Sequence, residues 1–123
     1  MTHIHTNDLS HFEVITNDVD GTKTFYEKAF GWKFQTFGPE FNNYVMGNLP
    51  NGTTCGIRTP ENAEEKPGML NYVLVKDVQQ AVKDAKSLGA QVIAEPMEIP
   101  GMGWMAVYLV HGVPNAVWQS AQR

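Results

Sequence analysis

His11-Phe-Glu-Val-Ile-Thr-Asn-Asp18, followed by Phe25-Tyr-Glu-Lys-Ala-Phe30-Gly31, returns in weaker form as Asn71-Tyr-Val-Leu-Val-Lys-Asp77 with Ala81, Val82, Ala85 and Leu88-Gly89. Each copy reads as a strand, an aspartate able to cap a helix, an amphipathic helix, and a glycine that ends it. A repeat of this length means two copies of one supersecondary unit. His11 of the first copy corresponds to Asn71 of the second.

Alternation places His11, Glu13 and Ile15 on one face of the first strand, over residues 11–16, and Phe12 and Val14 on the other. Asp18 or Asp20 offers an oxygen to the free amides of the next helix. There Phe25, Tyr26, Ala29 and Phe30 form one apolar stripe. Trp32–Phe37 reads as a strand, and Asn42–Gly47 with Thr53–Arg58 as a hairpin turned at Pro50-Asn51-Gly52. Module one therefore covers about 9–59, a polar, proline-flanked linker about 60–68, and module two about 69–120 of a single domain. Module two runs Leu70–Val75 as strand, Asp77–Leu88 as helix and Gln91–Ile93 as strand. Pro96–Gly103 is expected to be a long irregular loop. Met105–Val110 and Ala116–Gln119 form a last hairpin around Gly112-Val-Pro-Asn115. The order is β-α-β-β-β twice, an α+β architecture.

A chain of 123 residues, 42% hydrophobic and 18% charged, belongs to the globular class and can bury a core without metals or disulfides. The net charge of -4, with nine scattered Lys and Arg, argues against nucleic-acid and membrane-surface partners. A small molecule is the expected partner. Cys55, the single cysteine, suits a reducing compartment. The first residues lack a secretory pattern and no apolar run is long enough to span a bilayer, so the expected location is cytoplasmic.

The stretch His11…Asn17-Asp18…Phe25-Tyr26…Phe30-Gly31-Trp32, with the late Ile99-Pro-Gly-Met-Gly-Trp104 loop, resembles the vicinal oxygen chelate superfamily. That group includes lactoylglutathione lyase, bleomycin-resistance proteins and extradiol dioxygenases. The resemblance extends over nearly the whole chain and implies two βαβββ modules enclosing a cup. Metal-using relatives hold a divalent ion there through a His on the first strand of each module and a carboxylate or amide on the last. His11 matches the first of these, whereas Asn71 stands at the second. Gly56 lies near the third, and Trp118, in Asn115-Ala-Val-Trp118, stands at the closing Glu. The resemblance thus implies a degenerate centre with no usual metal ligand set and no cofactor. A relocated metal site of His11 and Glu13, joined by Gln119 or His111, is the alternative.

His11 and Glu13, two residues apart on one face, form the candidate acid–base pair. The competing reading is a hydrogen-bonded remnant beside a solvated carboxylate. Tyr44, Arg58, Asn71, Trp104 and Trp118 are the candidate ligand-binding residues, Arg58 for an anionic group and the aromatics for a flat one. Core packing, or for Arg58 a surface position, is the competing assignment. Tyr72 is expected on the helix-packing face. Met97, Met102 and Met105 suggest a lid or a subunit contact. His3 and His5 fall in a terminus expected to fray. Function is expected to be small-molecule binding, or catalysis without the four-ligand metal. The alternatives are a metal-dependent lyase, isomerase or dioxygenase with rearranged ligands, and an antibiotic-sequestering protein. Dimerisation is expected from the family and from apolar strand edges.

Overall fold

The computed structural model describes residues 4–121, so His3 lies outside the described residues. Eight strands and two helices follow the doubled order: β1 (Leu9–Ile15), α1 (Val19–Phe30), β2 (Lys33–Thr36), β3 (Val45–Asn48), β4 (Thr54–Arg58), β5 (Gly68–Leu74), α2 (Val78–Ser87), β6 (Gln91–Ile99), β7 (Gly103–Val110) and β8 (Val113–Ser120). A short 3-10 turn at Pro39–Phe41 separates β2 from β3.

Two compact units result, one built on His11–Leu70 and the other on the chain from Asn71 onward together with His5–Ser10. The segment around His5, expected to fray, is therefore held. Asn7 N–H donates to the Leu74 carbonyl at 2.6 Å, and Leu74 N–H donates to the Asp8 carbonyl at 2.9 Å.

In the first unit the strands run β2-β3-β4-β1, with antiparallel pairs at β2–β3 and β3–β4 and a parallel pair at β4–β1. Asp18 caps α1 by accepting from Gly21 N–H at 2.8 Å, and Gly31 closes the helix in the left-handed region at φ 74°. Val45, Cys55 and Ile57 form the buried core, flanked by Phe12, Val14, Tyr26 and Trp32. Phe12 and Val14 thus face the helix side, and the opposite parity of His11 and Glu13 follows. The expected apolar stripe of α1 is not buried. The helix has no buried residue, and Phe25 and Phe30 are 60% and 59% exposed. Tyr26 alone of the stripe joins the core, stacked on Trp32 with centroids 5.0 Å apart.

The second unit repeats the order as β5-β8-β7-β6. Asp77 caps α2 by accepting from Gln80 N–H at 3.2 Å. Here the helix does bury its stripe: Val78, Val82 and Ala85. Val78 and Val82 pack on Ala106 and Val117, with Val73, Val75, Trp104 and Tyr108 around them. Val73 of β5, and Val75 just beyond it, pack on the helix side, so Tyr72, with Leu70, faces the other way, contrary to expectation.

The equivalent caps Asp18 and Asp77 also correct the alignment of the copies. Counting back from them, His11 corresponds to Leu70, Glu13 to Tyr72, and Asn71 to Phe12. Matching His11 to Asn71 is wrong by one residue, and in a strand one residue reverses the face.

The expected Pro96–Gly103 loop is instead mostly strand. β6 continues to Ile99, its register shifting between Val92 and Ala94 and again between Ala94 and Met97. Pro96 lies within the second irregularity of this outermost strand, where a missing N–H costs no ladder bond. Met97 pairs in register with Met105, so these two methionines belong to a hairpin and not to a lid. The last hairpin turns at His111-Gly112, with φ of 49° and 84° between paired Val110 and Val113. Two successive positive φ values give the tight turn whose twist matches the strands, so Pro114 and Asn115 fall inside β8 and not in the turn.

Candidate active site of the first module

The polar face of β1 points its side chains at residues from β4 and from the segment before β3. Parallel pairing sets His11 beside Thr54, Glu13 beside Gly56 and Ile15 beside Arg58. Tyr44 precedes β3. Its N–H donates to the Phe41 carbonyl, and its own carbonyl accepts from Phe37 N–H at 2.8 Å. Held at both backbone groups, it sends its ring across β4 to β1.

Four side chains then form one chain of hydrogen bonds. The Tyr44 hydroxyl donates to Glu13 Oε2 at 2.7 Å. His11 Nε2 lies 2.9 Å from the same hydroxyl, and His11 Nδ1 lies 2.6 Å from Thr54 Oγ1. A phenol has one proton, and an ionised carboxylate only accepts. With the Tyr44 proton on Glu13, His11 Nε2–H must donate to the Tyr44 oxygen. In the neutral ring Nδ1 then accepts from the Thr54 hydroxyl. The order of donation is Thr54, His11, Tyr44, Glu13. Burial lowers the His11 pKa below its ordinary value, against the opposing pull of Glu13, which favours that neutral ring at pH 7.

Glu13 is 7% exposed, and a buried carboxylate requires compensation. Arg58 supplies it, Nε donating to Glu13 Oε1 at 2.9 Å. The far side of the guanidinium is gripped by Glu65: Nη1 to Oε1 at 2.7 Å and Nη2 to Oε2 at 2.8 Å, a two-pronged pair. Nη1 also donates to the Thr59 carbonyl. Burial alone would lower the Arg58 pKa. The hydrogen bonds Arg58 donates to Glu65 and the charge of Glu13 outweigh it and hold the guanidinium above its ordinary value. The same pair holds the Glu65 carboxyl below its usual range. Glu65 also accepts from Glu61 N–H at 2.7 Å, which ties the segment between the modules to the site.

Of the residues singled out from sequence, the structure brings His11, Glu13, Tyr44 and Arg58 into one cluster. Thr54 and Glu65 are additions. Thr54 is foreshadowed by alternation on β4. Glu65 carries no such signal, because a carboxylate in a polar linker reads as solvated. Arg58, expected to hold an anionic ligand, spends its donors on two carboxylates of its own chain.

The remaining candidates lie in the second unit. Trp118 pairs in register with Leu74 and Met105 and has the parity opposite to the helix-packed Val117. Trp104 packs on the helix side and lines an open cleft of about 460 Å³ with Lys76, Asp77, Val78, Gln79 and Gln119. The two tryptophans therefore sit on opposite faces of that sheet. Asn71 is exposed and has the parity of Val73, the helix side. Gln119 accepts from Val78 N–H at 2.9 Å, a side-chain cap of α2. His111 occupies the last hairpin turn.

The family resemblance raises the question of a divalent metal. Among the described residues no three His, Cys, Asp or Glu side chains gather closely enough to hold one. Both His11 nitrogens and both Glu13 oxygens are committed within the cluster, and the cation beside Glu13 is a guanidinium. This donor set does not fit a divalent metal, which needs several convergent free donors.

A family model for the Glyoxalase/Bleomycin resistance protein/Dioxygenase superfamily matches residues 8–107. The chain belongs to this superfamily. Three solved structures show how closely the glyoxalase fold is kept. A hypothetical protein BH1468 from Bacillus halodurans C-125 is 15% identical with a TM-score of 0.75, covering 97% of this chain and 98% of its own. Methylmalonyl-CoA epimerase from Mycobacterium tuberculosis is 13% identical with a TM-score of 0.72, over 98% and 93%. A chain described as NAD-dependent benzaldehyde dehydrogenase from Legionella pneumophila is 13% identical with a TM-score of 0.67, over 89% and 97%. Identities this low establish the fold. No curated protein matches the sequence significantly. Among the described residues, no helix is long and apolar enough to cross a membrane.

Proposed function

We propose that this glyoxalase-superfamily protein binds a small organic molecule at the first module and moves a proton through His11, Tyr44 and Glu13 without a divalent metal. The observation that carries the reading is the Tyr44 hydroxyl, shared between His11 Nε2 and Glu13 Oε2 while Arg58 clamps the carboxylate. A phenol between an imidazole and a carboxylate can pass a proton either way with little movement of heavy atoms. Arg58 and Glu65 position Glu13 in this scheme and do not touch the ligand. Two carboxylates, one guanidinium and a neutral imidazole leave the cluster with a net negative charge, which favours a neutral or cationic ligand over an anionic one.

The test has two parts. Protein purified and then mixed with Ni, Zn, Mn or Fe is expected to retain far less than one equivalent of metal by elemental analysis, and its melting temperature should not move. One equivalent retained by the native protein and lost in His11→Ala would overturn the metal-free reading. Neutral and cationic small molecules are then screened by thermal shift. Compounds that stabilise the native protein are expected to lose their effect in Tyr44→Phe and Glu13→Gln. Equal stabilisation of all three would remove the relay from the binding site.

A homodimer in a reducing cytoplasm completes the proposal. The exposed Phe25 and Phe30 offer an apolar face, and Cys55 is a free, buried thiol. Sedimentation at micromolar concentration reads the assembly directly.

A further inference from the structure

The Tyr44 ring reaches β1 by passing over β4, and it crosses at Gly56. Gly56 is buried and paired in register with Glu13 on one side and Met46 on the other. Its backbone is not in the left-handed region, so any residue could adopt it. Space alone therefore calls for glycine. A Cβ built at this position would overlap the Tyr44 hydroxyl oxygen and Cζ outright and lie 2.9 Å from Cε2. All three nearest atoms belong to the one ring that joins His11 to Glu13.

We infer that Gly56 is a positioning residue for the relay: its missing side chain is the slot in which the Tyr44 phenol sits, and any side chain there displaces that phenol from His11 and Glu13. This deepens the proposed function and rests on it for relevance to a ligand. Its geometry can be tested with no ligand at all.

The Tyr44 backbone is held, so relief of the clash falls to the ring, which must swing away from His11 and Glu13. The Tyr44 N–H and carbonyl are both bonded, to Phe41 and Phe37, and Asn42 and Asn43 before it are both held at φ 55°. Gly56→Ala substitutes no charged residue of the module. A change at His11 would then report the displacement of the phenol from His11 and Glu13.

The experiment compares the native protein with Gly56→Ala, Tyr44→Ala and the double variant. The His11 ring is followed by nitrogen-15 NMR against pH, its resonance identified by its loss in His11→Ala. Gly56→Ala and Tyr44→Ala are both expected to raise the His11 titration midpoint towards the ordinary value, because water enters where the ring stood. Gly56→Ala is also expected to lower the urea midpoint, and the same change in the Tyr44→Ala background should leave it unmoved. A folded Gly56→Ala protein with the native His11 titration would overturn the assignment. So would a Gly56→Ala defect, unfolding included, that Tyr44→Ala fails to relieve, since glycine would then be needed against some other group. Unfolding of Gly56→Ala alone, rescued in the double variant, supports it. Failure of every ligand screen with these shifts intact would sink the proposed function and leave the positioning role standing.

Discussion

Strands β1 and β5 are one strand written twice, and they carry opposite chemistry. Where β1 presents His11 and Glu13, β5 presents Leu70 and Tyr72, both buried. The partners follow the same division. Arg58 pairs with Ile15 across β1–β4, and its counterpart Trp118 pairs with Leu74 across β5–β8. One module thus concentrates a buried carboxylate, a guanidinium, a phenol and an imidazole, while the other fills the equivalent positions with apolar and aromatic groups. The helices differ in the reverse sense. α2 buries three side chains, and α1 buries none and leaves Phe25 and Phe30 at the surface. The first module keeps its polar groups on this sheet face, and the second packs apolar groups there.

The largest way to break this contrast is to strip the charge from Arg58. Arg58→Ala leaves Glu13 buried without its counter-ion and is expected to cost about 3–5 kcal/mol in urea unfolding. Removing both charges, as Glu13→Gln with Arg58→Met, should recover most of that loss, since it is the orphaned carboxylate that is costly. A small effect of Arg58→Ala would mean that Glu13 is solvated.

A second comparison sets the helices against each other. Val82→Ala in α2 removes a side chain only 3% exposed and is expected to cost about 2 kcal/mol. Phe30→Ala in α1 removes a larger ring with much of its surface already in water. Its cost should stay below about 1 kcal/mol in the monomer. Equal losses would show that α1 is buried in solution.

Acid stability should divide between the polar residues in two steps. Burial holds the His11 pKa below 6.5, so the unfolded chain binds that proton more readily. The associated stability is complete above pH 6.5 and declines as pH falls from there through the lower folded value. Glu65 is held below 4.5 by Arg58, so its contribution is present above pH 4.5 and is lost as pH falls through its folded value. His11→Ala should abolish the first decline and spare the second. The smallest expected effect concerns Cys55. Burial and the charge of Glu13 push its thiol up to about 12, and it is fully buried. Native protein should resist alkylation at pH 8, and urea should expose one reactive thiol.

Much of this was legible in the chain. The strand–Asp–helix–Gly pattern recurs because alternation, capping and helix termination are local rules, each satisfied within a few residues. It determined the two modules, the shared face of His11 and Glu13, and membership of the superfamily. The register between the copies was not legible, because Asn71 and Leu70 are adjacent and only the cap at Asp77 decides which of them answers His11. Pro96 concealed a strand, since an outermost strand with a bulge tolerates a residue that a central strand rejects.

The site itself needed the tertiary structure. Tyr44 and Arg58 stood out in the sequence only as candidates to touch a ligand. Their actual partners lie 31 and 45 residues from them along the chain, on Glu13. Local preference says nothing about pairing at that range. The strand order that puts β4 beside β1, and the space left at Gly56, decided that Arg58 is a counter-ion to Glu13 and that the Tyr44 phenol bridges His11 and Glu13.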